Sequence, residues 1–196
     1  QGLRAATNLL QQAGFSAEGG TLRGPDGTPF TFDILLPKGS TENIAIADIY
    51  VGALARLGIT ARIETVDDAQ FLARTNSFDF DMTFFRRALS LSPGNEQRYY
   101  WGSDAATAEG SRNLPGIHNP AVDAMIDTML EAKEQDQFIA ATRALDRVLT
   151  AGAYVIPFWQ YSEGRIAHVK EMKHPEVIPI YGDGPNYMPE VWWWEQ

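Results

Sequence analysis

Asp79 and Asp81 stand two apart in Phe78-Asp79-Phe80-Asp81, directly ahead of the apolar run from Met82 to Phe85. On a strand, residues two apart share a face. Two carboxylates on one face are the minimum equipment for general acid and base chemistry. The plain alternative is a solvated strand face, and no third group nearby suggests catalysis. His118, His168 and His174 are the only histidines and form no HxxxH or HxH pair, so a metal site has no support from spacing. Ser103, Ser111 and Ser162 lack the GxSxG setting of a nucleophile elbow. Gly102, Gly110 and Gly116 are too scattered to cradle a phosphate. The chain has no cysteine, which excludes thiol catalysis, cysteine-type zinc sites and a disulfide framework. No cofactor and no metal are expected.

The residues that stand out are cations and aromatics. Arg86, Arg87 and Arg98 occur in a chain whose formal net charge is -9. Arginine presents a planar fork of donors that matches a carboxylate or a phosphate. The competing explanation is local ion pairing with Glu96, Asp79 or Asp81. Position favours ligand contact, because Arg86 and Arg87 end an expected strand within an α/β unit, where open sheets place ligands. Leu89, Ser90 and Asn95 lie on the loop that follows. Tyr99, Tyr100 and Trp101 are consecutive and cannot all face one core, so at least one should be exposed. Trp192-Trp193-Trp194 near the C-terminus poses the same problem.

Strand–helix alternation must position these groups. Leu3, Ala6, Leu10 and Ala13 recur at helical spacing and stop at Gly14. Pro25-Asp26-Gly27 is a turn. Phe30, Phe32, Ile34 and Leu36 alternate as a strand with at least one buried face. Ile44, Ala47, Val51, Leu54 and Leu57 give a second helix, stopped by Gly58. Ile59, Ala61 and Ile63 mark a second strand. Asp67 or Asp68 caps a short helix through Arg74, and Phe80, Met82 and Phe84 mark a third strand. Strand–helix–strand–helix–strand predicts parallel neighbours. Beyond it, Asn119-Pro120 opens a helix with its stripe at Val122, Met125, Ile126, Met129 and Leu130. Phe138, Ala141, Leu145, Val148 and Leu149 form another, antiparallel across a turn around Lys133 to Asp136. Tyr154 to Trp159 and Gly164 to Val169 read as two strands of a hairpin.

The 196 residues suit one large domain or a domain and a half, long enough to bury about 70% of the unfolded surface without staples. The acidic balance argues against nucleic acid and anionic membrane surfaces as partners. No apolar run approaches the ~20 residues of a membrane span, so direct membrane insertion is not expected. The chain opens on Gln1 straight into a helical pattern, with no signal peptide, which predicts an excised or processed piece of something longer.

With those residues placed, the chain resembles the C-terminal part of an extracellular solute-binding protein of the peptide/nickel-type ABC importer family. The segments that carry the resemblance are AATNLLQQAGF, LARLGITARIETVD, FDFDMTFF, NLPGIHNPAVDAMID and RALDRVLTAGAYVIPFWQYSEGRIA. Each is weak alone, but the ordered set covers nearly the whole chain. One departure matters. Many peptide-binding members carry Trp-x-x-Asp-Tyr after the Phe-Asp strand, with an aspartate that holds the peptide's amino terminus. Here the stretch reads RRALSLSPGNEQR, and Ser90 falls at or near that aspartate. The wording LSPGNEQR is similar to the branch that includes microcin C and related peptide-conjugate binders.

The resemblance implies an α/β fold, a mixed and mostly parallel sheet flanked by helices, forming one lobe of a two-lobed periplasmic-binding-protein-like fold. Residues 1–158 would form the ligand-binding lobe, and 159–196 a segment returning towards an absent N-terminal lobe. The implied function is capture of a peptide or peptide-like solute and delivery to ABC permease subunits in the cell envelope, periplasmic or extracellular, without enzymatic activity. Arg86, Arg87, Leu89, Ser90, Asn95, Arg98 and Tyr99 are the expected binding residues. The arginines would pair with an anionic ligand group, Ser90 and Asn95 would offer hydrogen bonds, and Tyr99 or Trp101 would stack on an apolar side chain. Two rivals remain from the residues alone. One is a glycosidase-like α/β hydrolase using Asp79 or Asp81, which needs two carboxylates facing across a cleft. The other is a free-standing interaction domain with Trp193 in an interface.

Overall fold

The structure, a computed structural model, describes residues 2–87, 92–158, 166–177 and 191–195. Helix α1 (Gly2–Gln12) ends at Gly14, whose φ of 87° only glycine takes without cost. A hairpin follows, β1 (Ser16–Glu18) paired antiparallel with β2 (Thr21–Arg23). Its two-residue loop is Gly19-Gly20, both at positive φ, as the favoured hairpin turns require. The periodicity of the region did not reveal this hairpin.

The three expected strands lie together. β3 (Thr31–Pro37) occupies the centre of the order β4-β3-β5, between β4 (Thr60–Val66) and β5 (Met82–Thr83), and both pairings are parallel. Helices α2 (Thr41–Ala55) and α3 (Asp68–Asn76) make the two crossovers. Ile34, Leu35 and Leu36 are all buried in succession, so β3 is covered on both faces, as a central parallel strand usually is. Ile34 and Leu36 join Leu22, Ala47, Leu54, Ile59 and Ala61 in the first core. Asp67 caps α3, its carboxylate accepting from the Gln70 amide at 2.9 Å.

β5 is shorter than the expected run from Phe80 to Phe85. Phe78 adopts φ 59°, and the Asp79 amide donates back to the Arg74 carbonyl, so the chain is still turning out of α3 when it reaches Asp79. Asp79 and Asp81 therefore precede the strand and do not share a face of it.

The second half of this unit is helical: α4 (Glu96–Trp101), a 3-10 turn (Ser103–Ala106), α5 (Pro120–Glu131) and α6 (Gln135–Gly152). Asn119 caps α5 by accepting from the Ala121 amide, with Pro120 in the first turn. Ile117, Val122, Ile126, Met129, Ala141 and Leu145 form a second core. The chain divides into two compact units, Gln1–Tyr154 and Val155–Gln196. In the second, β6 (Met172–Lys173) pairs antiparallel with β7 (Trp193–Trp194).

The hairpin expected from Tyr154 to Val169 is not formed among the described residues. Neither 154–158 nor 166–169 is strand, and 159–165, including Trp159, lies outside them. Pro157 has no amide to give a ladder, and Val155, Ile156 and Phe158 are exposed, without the packed face an isolated two-stranded pair needs. Among the described residues no helix is long and apolar enough to cross a membrane.

Candidate functional site

Because β3 and β5 are parallel, their C-terminal ends open on the same edge of the sheet. Such edges are where α/β sheets bind ligands. β3 runs out at Pro37 and α2 starts four residues later, so the β3–α2 turn and the segment after β5 border one depression. It holds about 520 Å³ and is lined by Ser40, Asn43, Phe71, Phe84, Phe85 and Arg86 among others.

Arg86 and Arg87 follow β5 in extended chain, and their side chains have different surroundings. Arg86 is exposed; its guanidinium meets Glu42 of α2 at 3.0 Å and lies 5.9 Å from the Phe84 ring centre. Arg87 is half-buried in a notch of aromatic rings. Its Cζ is 3.9 Å from the Trp101 ring centre, 4.3 Å from Tyr100 and 5.2 Å from Phe85. Nη2 donates to the Arg112 carbonyl at 3.1 Å, while Nη1 is buried with no hydrogen-bond partner. Loss of water pushes the guanidinium down to about 10, with Tyr100 acting weakly the other way, and it remains charged at neutral pH.

α4 carries the remaining described candidates. Asn95 is the exposed residue at its N-terminus and caps nothing with its side chain. Arg98 pairs with Asp127 of α5 at 2.6 Å, with both side chains about half exposed. Tyr99 is 45% exposed while its hydroxyl donates to the Gly110 carbonyl at 2.6 Å, which leaves the ring in solvent. Tyr100 and Trp101 are half-buried. Leu89 and Ser90 lie outside the described residues. Thus Arg87 and α4 are brought together, Arg86 faces α2, and Arg98 is tied to the helical layer.

The carboxylates behind the hydrolase alternative have structural partners. Arg74 bridges Glu64 at 2.6 Å and Asp79 at 2.9 Å, fastening α3 to β4. Asp81 accepts from the Asp33 backbone amide at 2.9 Å, joining the start of β5 to β3. Each carboxylate serves a different structural contact. Among the described residues, no group of three or more His, Asp or Glu side chains gathers as a metal site would need.

A buried asparagine, missed by sequence reasoning, holds the segment between α4 and α5. Asn113 is fully buried. Its amide nitrogen donates to the Gly102 and Ile117 carbonyls at 2.9 and 2.8 Å, and its oxygen accepts from the Ile117 amide at 2.9 Å. Ser111, also buried, donates to the Ala105 carbonyl at 2.6 Å. Asp123, in the first turn of α5, accepts from both the amide and the hydroxyl of Ser103 at 2.8 and 2.5 Å. The sequence signal was a polar residue inside an apolar loop, NLPGI, too short to separate from an exposed turn.

Residues 1–109 match the family described as "Bacterial extracellular solute-binding proteins, family 5 Middle". The chain belongs to that family. Among its relatives is the protein y4wM of Sinorhizobium fredii, 45% identical over 98% of this chain and 28% of the relative. Another is the "Probable peptide-binding protein YejA" of Agrobacterium fabrum, 42% identical over 97% of this chain and 30% of the relative. The chain therefore spans under a third of the length of these relatives. The fold is similar to that of the oligopeptide-binding protein AppA of Bacillus subtilis, solved in complex with a nonapeptide. The TM-score is 0.74 at 17% identity, covering 98% of this chain and 37% of AppA. The α/β lobe with a mostly parallel sheet is accordingly the fold of periplasmic binding proteins, and family membership disfavours the hydrolase alternative.

Proposed function

We propose that this chain forms one wall of the binding cleft in the substrate-binding component of an ABC importer. The component captures peptides or peptide-like solutes in the periplasm or outside the cell and delivers them to permease subunits. It performs no chemistry on them. The observation that carries the reading is the open C-terminal edge of the β4-β3-β5 sheet, where Ser40, Asn43, Phe84 and Arg86 border a depression of about 520 Å³. The family match and a relative named as peptide-binding supply the solute class. In this reading Arg86, Arg87, Leu89, Ser90, Asn95, Arg98 and Tyr99 border the ligand, and residues 159–196 return towards an N-terminal lobe that supplies the facing wall. Ligand entry shifts the population from open to closed.

A cleft needs both walls. Calorimetry on the isolated chain and on the full-length parent, with one panel of tri- to pentapeptides and peptide conjugates, tests the reading. Weak or undetectable binding by the chain and tight binding by the parent are expected, because one wall forfeits roughly half the buried contact but not the cost of immobilising the ligand. Equal tight binding by both would place the site within this lobe and refute the cleft. Release of a cleaved product would restore an enzyme reading.

A further inference from the structure

We infer that the far end of α2 from the cleft edge carries a second site, and that it takes a free single-chain amphiphile with an anionic head, a medium-chain fatty acid in its simplest form. α2 has the depression at the sheet edge against its first turn and a groove of about 380 Å³ against its last. At 1.5 Å per residue the helix keeps the two roughly 20 Å apart. Three elements wall the groove. Leu10 comes from α1, Ala17 and Leu22 from the hairpin, and Leu57 from the turn after α2, with Phe15 between α1 and β1. Register explains the apolar lining of the hairpin. Ala17 pairs with Leu22 and so shares its face, while Glu18 and Arg23 lie on the other face and meet each other at 3.6 Å.

Packing around the groove is incomplete. Leu22 is buried, but Leu10, Phe15 and Leu57 are only partly covered where they meet the first core. No residue of α1 is buried, although Leu3, Ala6, Leu10 and Ala13 share one face of it. An alkyl chain laid in the groove would complete that cover, and the volume falls within the range of small-molecule sites. The floor is firm: the Phe15 ring packs on Phe30 with centres 5.2 Å apart, and the Phe15 amide donates to the Leu10 carbonyl at 2.9 Å. The head group is set by Arg56, which borders the groove directly after α2. Among the described residues its guanidinium has no carboxylate within ion-pair distance and no hydrogen-bond acceptor. Arg56 is exposed, so an anionic head beside it stays in water while its tail is buried. The charge of the whole chain separates a free ligand from a lipid surface. A single head group responds to the cation next to it, whereas an anionic bilayer meets the field of a chain with net charge -9 and is repelled.

The test is titration calorimetry on the full-length parent with straight-chain carboxylates from hexanoate to dodecanoate, each below its micelle concentration, and with decylammonium as the cationic match for decanoate. Each two methylenes buried should tighten binding by about tenfold, levelling off once the groove is full. Decanoate should bind roughly 3- to 10-fold more tightly than decylammonium. The overall charge of the chain favours the cation, so this order requires a local positive group. Arg56→Gln should abolish or reverse the preference and keep the dependence on chain length. Ala17→Phe places a ring in the groove from an exposed position opposite Leu22 and should abolish binding of every chain. Gln11→Trp, from an exposed position on α1 that also borders the groove, serves if the first variant does not fold. Decanoate binding that survives both ring substitutions lies elsewhere and would overturn the site. Absence of binding to the wild type, the result if the remaining chain of the parent covers the groove, would overturn it too. A preference for decanoate that Arg56→Gln leaves unchanged would overturn the assignment of the head group. Recruitment to phosphatidylglycerol vesicles that is lost in Ala17→Phe would give the groove to a membrane lipid and overturn the free ligand.

Discussion

Asn113→Ala removes a side chain that makes three hydrogen bonds from a fully buried position. The alanine leaves the carbonyl and the amide of Ile117 without their partners, and Ile117 is itself completely buried, while the Gly102 carbonyl keeps only the Ala105 amide. Each orphaned group costs about 1–3 kcal/mol when water cannot replace the bond. The vacated volume is close to that of one water, which would recover part of the loss. A net destabilisation of about 3–4 kcal/mol follows, large for a single substitution. For a domain of this size that corresponds to a fall in Tm of roughly 6–16 °C. The local readout is sharper than the global one, because the Ile117 amide loses its acceptor outright. Hydrogen exchange at that amide, followed by mass spectrometry on the full-length parent, should accelerate by about 100-fold or more. Asn113→Asp keeps the acceptor for Ile117 but turns a carboxylate towards two carbonyls, so it should be no better tolerated than alanine. If urea denaturation of Asn113→Ala shows a loss under about 1 kcal/mol with unchanged exchange at Ile117, the buried network is not what holds this loop.

Gly58→Ala should cost about 2 kcal/mol or more in thermal denaturation, since φ is 79° and an added Cβ would sit 2.7 Å from the Leu22 backbone nitrogen; a neutral effect would mean the hairpin is not packed there. Asp123→Ala should cost about 1–2 kcal/mol in the same assay by freeing the Ser103 amide and hydroxyl, and Asp123→Asn should recover part of it. The Glu96 carboxyl is held below its ordinary value of 4.5, chiefly by the Gly94 amide and further by Gln97. Its folded-state value is depressed, so its contribution to stability is complete above about pH 4.5 and fades as pH falls through the lower folded value. Denaturation of Glu96→Gln and wild type across pH 2–6 should therefore differ in slope at the acid end, and parallel curves would remove the carboxylate from the account.

The sheet was legible because its signals are local. Alternation at Phe30–Leu36 and Ile59–Ile63, with a helix between them stopped by Gly58, leaves few alternatives to adjacent parallel strands. The caps at Asp67 and Asn119 were readable for the same reason, since capping chemistry spans three residues. The Gly19-Gly20 hairpin was as local, and its signal was present: two glycines between short segments are a hairpin loop, outweighed here by strands of only three residues. The partners of the charged candidates were not legible, because the contacts that decide them span long separations. Arg86 meets Glu42, Arg98 meets Asp127, and Asp81 meets the Asp33 amide, at sequence separations of 44, 29 and 48. Local composition had offered Glu96, Asp79 and Asp81 as the partners of the arginines, and none of these pairings forms among the described residues. Arg74, which no spacing singled out, holds Asp79 instead.

Long-range contacts also fix the geometry of the guanidinium that follows β5. Arg87 is held from two directions: by the rings of Tyr100 and Trp101 at the end of α4, and by the Arg112 carbonyl. Asn113 follows Arg112 directly, and its amide nitrogen grips Gly102, the residue that terminates α4. One buried side chain thus fixes both supports of the guanidinium. Asp123 and Arg98 add a second tie, since Ser103 bonds to the first turn of α5 and Arg98 to Asp127 one turn further on. The α4 segment is short, six residues, and would not hold its shape alone. Its orientation is imposed by the α5–α6 layer through Asn113, Asp123 and Asp127. The apolar stripes of those two long helices supply the rigid body against which α4, and with it the Arg87 side chain, is positioned.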